Sequence, residues 1–221
     1  MQATLSALVA HDIKNALALL EIDLEQLNHQ PNVPVEGVRA YRRCVELKAR
    51  LIGFLTLYKR DQSGLQPMIS EVDLIEFFDE IIDGSQSVMM AQSHHGHTIT
   101  VQLDRDRIKI APACADGGFG FFDENLVELA LESALNNALR YAHHKIVLWF
   151  EQGVDELALM VLDDGVAVED EQRKIAENSS STGLGLALCR AVAEAHGAGS
   201  VSLKRVAGGG TLFTMALRPV G

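Results

Sequence analysis

Long apolar runs are missing from this 221-residue chain, and no stretch approaches the roughly 20 apolar residues that a membrane-crossing helix needs. The N-terminus has no basic segment followed by an apolar one, so no secretory leader is visible. Direct membrane insertion of this chain is therefore not expected. Cysteine is scarce: Cys44, Cys114 and Cys189 lie far apart and form no CxxC pair. That excludes a disulfide framework and a thiolate zinc site, and fits packed, reduced thiols in a cytoplasm. Positive charge is in deficit, with 19 Lys and Arg against 30 Asp and Glu and a formal net charge of −11. A phosphate backbone would be repelled by most of such a surface, so nucleic acid is not an expected partner.

What is present is ordinary globular composition, 48% hydrophobic and 22% charged, enough for one or two domains with a real core. Early in the chain, Ile13, Leu17, Leu20, Leu24 and Leu27 step by four, three, four and three. That spacing predicts a helix with a heptad seam. "HQPNVPVEG" stops it, because Pro31 and Pro34 disfavour helical conformation in the residues before them. A second helix follows through Val38, Tyr41, Val45, Leu51, Leu55 and Tyr58. One helical hairpin cannot cover both its seams, and pairing with a second copy predicts a dimeric four-helix bundle.

The polar turn "RDQSGLQP" at 60–67 marks a domain boundary, giving segments 1–64 and 68–221. The second segment mixes elements. Helices are predicted over 72–93, 123–142 and 184–196, the middle one with Asp123 as N-cap. Strands are predicted over 98–103, 107–111, near 200–206 and over 211–217, with "KIVLWFE" and "ELALMVLD" as a pair. Interleaved strands and helices of this kind predict a two-layer α/β sandwich.

Three stretches carry chemistry. In "STGLGLALCRAVAEAHGA", Gly183 and Gly185 precede a helix, where backbone N–H groups can approach a phosphate. In "MVLDDGVAVED", Asp163 ends a strand and Gly165 follows in a turn; a carboxylate there can accept a purine's exocyclic amine. In "LESALNNALRYA", Asn137 and Arg140 stand one turn apart and can face one site, the amide as an Mg²⁺ ligand and the guanidinium as a phosphate clamp. Each alone is equally a plain Gly-rich turn, an ordinary Asp turn and a polar helix face.

In this order and spacing the three resemble the G2, G1 and N boxes of the ATP-binding domain of sensor histidine kinases. "GGGTLFTMALRP" is similar to the final strand of that domain, "HDIKNAL" to the phosphoacceptor H box, and "LKARLIGFLTLYKRDQSG" to the second helix of the dimerisation domain. The resemblance covers essentially the whole chain. It implies a dimeric helical hairpin followed by an α/β sandwich of the histidine-kinase ATPase (Bergerat) type, with ATP and Mg²⁺ as cofactors. It implies further that ATP phosphorylates His11 and that the phosphoryl group passes to an aspartate of a response-regulator receiver domain. Asp12 would polarise the imidazole of His11, and Asn15, on the same helix face, would position water for dephosphorylation of the partner. Asn137 would ligate Mg²⁺. Arg140, where the family usually has lysine, would contact phosphates beside Tyr141. Asp163 would bind the adenine amine, with Gly165 shaping its turn. Gly183, Leu184, Gly185 and Leu186 would form the loop around the phosphates.

The chain departs from the family pattern at four places. Ser133 replaces the first asparagine of the N box, Ala167 the second glycine of DxGxG, Ser181 the first glycine of the G2 loop, and Ala16 the proline after the H box. The lid segment between Val168 and Ser181 is also short. A histidine phosphotransfer protein or receiver phosphatase that does not use ATP is thus a second reading, and a dimeric adaptor a third. The chain begins ten residues before His11, so a longer receptor with a sensor domain is expected. "SHHGH", with His94, His95 and His97, reads as a solvated loop, and His196 as a helix cap favoured by the helix dipole. Trp149 and Phe150 alternate along a strand and read as core and surface positions.

Overall fold

The computed structural model describes residues 2–28, 34–93, 99–114, 117–165, 183–207 and 209–218, with side chains excepted at 2–12, 28, 35, 42 and 86–93. Two long helices open the chain, α1 (Gln2–Asn28) and α2 (Val35–Ser63). They pack on each other through Leu17, Val38, Tyr41 and Cys44, all buried. The Cys44 thiol reaches the Leu17 carbonyl at 3.6 Å, and Lys48 pairs with Glu21. The predicted turn between the helices falls largely outside the described residues. Helix α2 ends at Gly64, whose positive φ (76°) closes the last turn with its N–H on the Arg60 carbonyl.

The seam read from the sequence divides. Leu17 turns inward, while Ile13, Leu20 and Leu27 remain 44%, 47% and 37% exposed. On α2, Leu47, Phe54 and Tyr58 are exposed as well, the last two rings stacked 6.3 Å apart. A single hairpin therefore leaves apolar surface uncovered.

A second unit follows. Strand β1 (Ser70–Asp73) pairs antiparallel with β4 (Phe119–Phe122), and α3 (Leu74–Ser93) starts directly after β1. The sequence pattern places this helix at 72. It begins at Leu74 because Asp73 Oδ1 accepts the N–H groups of Ile75 and Glu76, a capping arrangement that ends the strand. Strands β2 (Thr100–Leu103), β3 (Lys109–Ile110), β5 (Lys145–Gln152), β6 (Leu157–Asp163), β7 (Ser200–Arg205) and β8 (Thr211–Leu217) form one mixed sheet in the order β2-β5-β6-β8-β7, with β3 also on β5. The predicted strand at 107–111 is cut to two residues by a 3₁₀ turn at Arg105–Arg107. The pair β5 and β6 is antiparallel, as the sequence suggests.

Helices α3, α4 (Glu124–Tyr141) and α5 (Leu184–Ala195) cover one face of the sheet. Val127, Leu131, Leu135 and Leu139 of α4 recur at four-residue spacing and meet Ile146, Leu148 and Phe150 of β5. Asp123 caps α4 as expected: Oδ1 accepts the N–H of Leu126 at 3.1 Å and Oδ2 that of Met68 at 2.8 Å. The second bond ties the segment leaving α2 to the head of α4.

The reading of one core and one surface position is corrected, because Trp149 and Phe150 are both buried on opposite faces of the sheet. Trp149 faces away from the helices yet is only 7% exposed, packed with Val147 and Met160 and covered by the Arg107 guanidinium 5.1 Å from its ring centre. The outer sheet face thus carries a small core of its own, which strand alternation alone does not reveal. Among the described residues no helix is long and apolar enough to cross a membrane.

Candidate functional site

A cavity of about 300 Å³ lies between α4, α5, the ends of β6 and β8, and the middle of α2. Its volume is at the lower end for small-molecule pockets. The sheet brings Asp163 to it as the last residue of β6, a position where strand ends commonly present polar groups to ligands. Asp163 is 7% exposed, and burial pushes its carboxyl pKa up. Two backbone donors oppose that shift. The Gly165 N–H reaches Oδ1 at 2.9 Å and the Thr211 N–H reaches it at 3.3 Å. Among the described residues no donor ends on Oδ2, which leaves a buried acceptor for a ligand N–H.

Gly165 itself is buried beside the cavity rather than lining it, and acts through that bond to Asp163. Gly210 completes the wall. Its φ is +93°, and a Cβ there would lie 2.0 Å from the Asp163 carbonyl oxygen, so the β7–β8 turn can press against β6 only without a side chain. The neighbouring Asp164 faces the other way and holds the turn after α4, accepting the N–H groups of His143 and His144 at 2.8 and 3.0 Å. Burial pushes its pKa up, but the donors from His144, Lys145 and His143 outweigh that and leave it lowered.

Helix α4 contributes Ser133, Asn137, Arg140 and Tyr141 to the cavity, as its polar stripe suggests. Helix α5 contributes Gly183 as its left-handed N-cap, then Leu184, Gly185 and Leu186. Gly185 approaches α4 so closely that a Cβ there would meet Ser133 Oγ at 2.5 Å and Asn137 Nδ2 at 3.4 Å. The serine that departs from the N-box pattern is therefore the residue against which this loop closes, and a longer side chain would claim the same space. For a cation, the Asn137 amide oxygen and the Ser133 hydroxyl one turn earlier are hard oxygen donors of the kind Mg²⁺ accepts alongside phosphate oxygens and water. Among the described residues no group of three or more His, Cys, Asp or Glu could hold a metal by itself.

The cavity has lining residues that motif reading passes over. Thr211, Phe213 and Leu203 come from the last two strands, and Glu46, Arg50 and Gly53 from α2. The "GGGT" run signals the first of these, through its glycines. Nothing local signals the α2 residues, because their place depends on how α2 lies on α5. The His11 and Asp12 side chains, Ala167, Ser181, the 166–182 segment and the "SHHGH" histidines lie outside the described residues. Asn15 is exposed on α1, away from buried Leu17. Of the cysteines, Cys44 and Cys189 are buried, with Cys189 pushed up to about 12 by burial, so these two are inert packing thiols.

His196 is corrected in one respect. It does cap α5, but it is 1% exposed and burial lowers its pKa, so it acts as a neutral ring and not as a cation on the helix dipole.

A mixed sheet with helices on one face, a buried carboxylate at a strand end, and an Asn-bearing helix facing a Gly-rich helix start thus frame the cavity. Residues 122–220 match the family described as histidine kinase-, DNA gyrase B-, and HSP90-like ATPase. Over more of its length, the chain is similar to proteins named sensor histidine kinases. It is 23% identical over 201 residues to the sensor histidine kinase CpxA of Escherichia coli (strain K12), covering 85% of this chain and 41% of that protein. It is 27% identical over 222 residues to the sensor protein RstB of the same strain, covering 94% and 47%. The chain thus spans less than half the length of these relatives. Its fold resembles that of the Acinetobacter baumannii histidine kinase AdeS, with a TM-score of 0.60 at 17% identity over 98% of each chain. It also resembles the histidine kinase ThkA solved in complex with response regulator protein TrrA, with a TM-score of 0.53 at 15% identity over 98% of this chain and 61% of that one.

Proposed function

We propose that this chain is the catalytic core of a two-component histidine kinase, divided into a dimerisation and phosphotransfer hairpin at 1–64 and an ATP-binding domain at 68–221. The observation that carries this reading is the convergence of Asp163, Asn137, Arg140 and the Gly183–Leu186 loop on one cavity. The residues of that cavity fit a purine nucleotide. The open Oδ2 of Asp163 suits the adenine amine, Arg140 and the α5 N-terminus suit phosphates, and Asn137 suits Mg²⁺. When bound, ATP supplies the γ-phosphoryl group and Mg²⁺ offsets its charge.

In this reading a ring nitrogen of His11 attacks the γ-phosphorus, and the bond to the bridging oxygen of ADP breaks. Asp12 orients the imidazole, stabilises its charge and helps to take its proton. A receiver-domain aspartate then accepts the phosphoryl group, and Asn15 orients water when the receiver is dephosphorylated. The exposed apolar stripe of Ile13, Leu20 and Leu27 supports a homodimer through the hairpin, closing a four-helix bundle. The likeness to ThkA, whose structure contains a response regulator, supports a receiver domain as partner.

Incubation with γ-labelled ATP and Mg²⁺ tests the reading. Acid-labile label on the protein, lost in His11→Ala with an unchanged melting temperature, is the expected result. Label that persists in His11→Ala overturns the phosphoacceptor assignment. No nucleotide binding at all overturns the kinase and leaves the phosphotransfer protein.

A further inference from the structure

The mouth of the cavity holds a charge arrangement that the nucleotide reading leaves unused. Glu46, on α2, stands between two guanidiniums. Its Oε1 lies 3.6 Å from Arg140 Nη2 on α4, and its Oε2 lies 4.0 Å from Arg50 Nη2 one turn along α2. All three residues line the cavity. Arg140 is the cation proposed for phosphate contact, and in this structure its guanidinium faces a carboxylate of the protein. The same carboxylate brings the second guanidinium to that point.

One turn beyond Arg50, Gly53 lines the same cavity, and a Cβ there would lie 3.5 Å from Leu188 and 3.7 Å from Leu184, ordinary contact distances, so this part of α2 lies directly against the first turns of α5. Both ion pairs are long and their side chains are between 26% and 39% exposed, so each is weak and readily exchanged. A nucleoside triphosphate carries several charges against the single charge of Glu46, and guanidinium forks match phosphate oxygens well.

We propose that Arg50 and Arg140 form one anion subsite built across the hairpin and the ATPase domain. In it, Glu46 is an internal stand-in that the terminal phosphates of a nucleotide displace, so that Arg50 becomes a phosphate-contacting residue supplied by the helical hairpin. This rests on the nucleotide reading above and adds a residue and a competitor to it.

Calorimetry with ATP and with adenosine, on the whole chain and on Glu46→Gln and Arg50→Gln, tests it. Both side chains are a little over one third exposed, and matched melting temperatures check that the fold is kept. Glu46→Gln should tighten ATP roughly two- to fivefold, the free-energy scale of a partly exposed ion pair. Arg50→Gln should weaken ATP roughly two- to tenfold, as loss of one charge-assisted contact does. Adenosine, which has no phosphate, should bind all three proteins equally. ATP binding that is the same in all three, or changes matched by adenosine, overturns the bridging subsite while leaving the nucleotide reading intact. Absence of binding by both ligands to every protein removes that reading and this inference together.

Discussion

The Nε2 atom of His196 accepts the backbone N–H of Asp123 at 3.0 Å, joining the C-terminal end of α5 to the cap of α4. Its Nδ1 lies 2.7 Å from the Val192 carbonyl, so Nδ1–H donates there and the ring is held as one neutral tautomer. The linkage joins the two helices whose other halves line the cavity, and it is sensitive to pH. Burial lowers the His196 pKa below its ordinary value, although Asp123 and the Val192 bond oppose the shift. The unfolded chain then takes up the proton first. The stability contributed by the neutral ring is complete above the unfolded value, about 6.5, and is lost as pH falls toward the folded value. Chemical denaturation between pH 8 and 5 should show stability falling below about pH 6.5. His196→Gln should be less stable by about 1–3 kcal/mol at pH 8, from buried partners left unpaired, and should show a flatter pH profile.

Asp163→Asn should separate stability from binding. The folded pKa of Asp163 is raised, mainly by burial. A raised carboxylate is favourable only below the unfolded value, and that benefit is gone once pH rises through the folded value. At neutral pH the ionised form is therefore a cost to the fold. An asparagine keeps an acceptor for the Gly165 and Thr211 N–H groups without the charge. The melting temperature at pH 7.5 should rise, while ATP affinity falls at least tenfold because a carboxylate no longer meets the adenine amine. A lowered melting temperature would count against the burial argument.

Gly210→Ala should damage both. The position has φ +93°, and the new Cβ would collide with the Asp163 carbonyl. A cost of about 1–3 kcal/mol is expected from backbone strain alone, with more from displacing β6. Denaturation and nucleotide titration should move together. Gly64→Ala also has positive φ but nothing within 4 Å, so it should lower stability without touching nucleotide affinity.

The hairpin should be dimeric. In the single chain Leu20 is 47% exposed, so Leu20→Ala should cost that chain little. In a four-helix bundle the same change should cost about 2–5 kcal/mol per buried site. Sedimentation of Leu20→Glu with Leu27→Glu should show monomers where the unmodified chain shows dimers. A stable monomer of the unmodified chain at micromolar concentration contradicts the bundle.

Most element positions were legible in the sequence. Heptad spacing, strand alternation and the Asp123 cap are local signals, and local signals decide where a helix or strand forms. The α/β sandwich followed from interleaved strand and helix patterns, and short motifs marked residues that the structure brings to one cavity, because a strand-end carboxylate and a Gly-rich helix start carry their chemistry in a few adjacent residues. Four features were decided by tertiary structure alone. The β1–β4 ribbon exists because two short segments some fifty residues apart find each other, with Ser70 opposite Phe122. Trp149 is buried because Arg107 folds over it from a neighbouring turn, and His196 is neutral because α4 and α5 exclude water from it. The placing of Glu46 and Arg50 at the cavity depends on how α2 packs against α5. In each case the deciding partner is distant in the chain, and the burial or charge contact that it creates has no signature in the residues beside it.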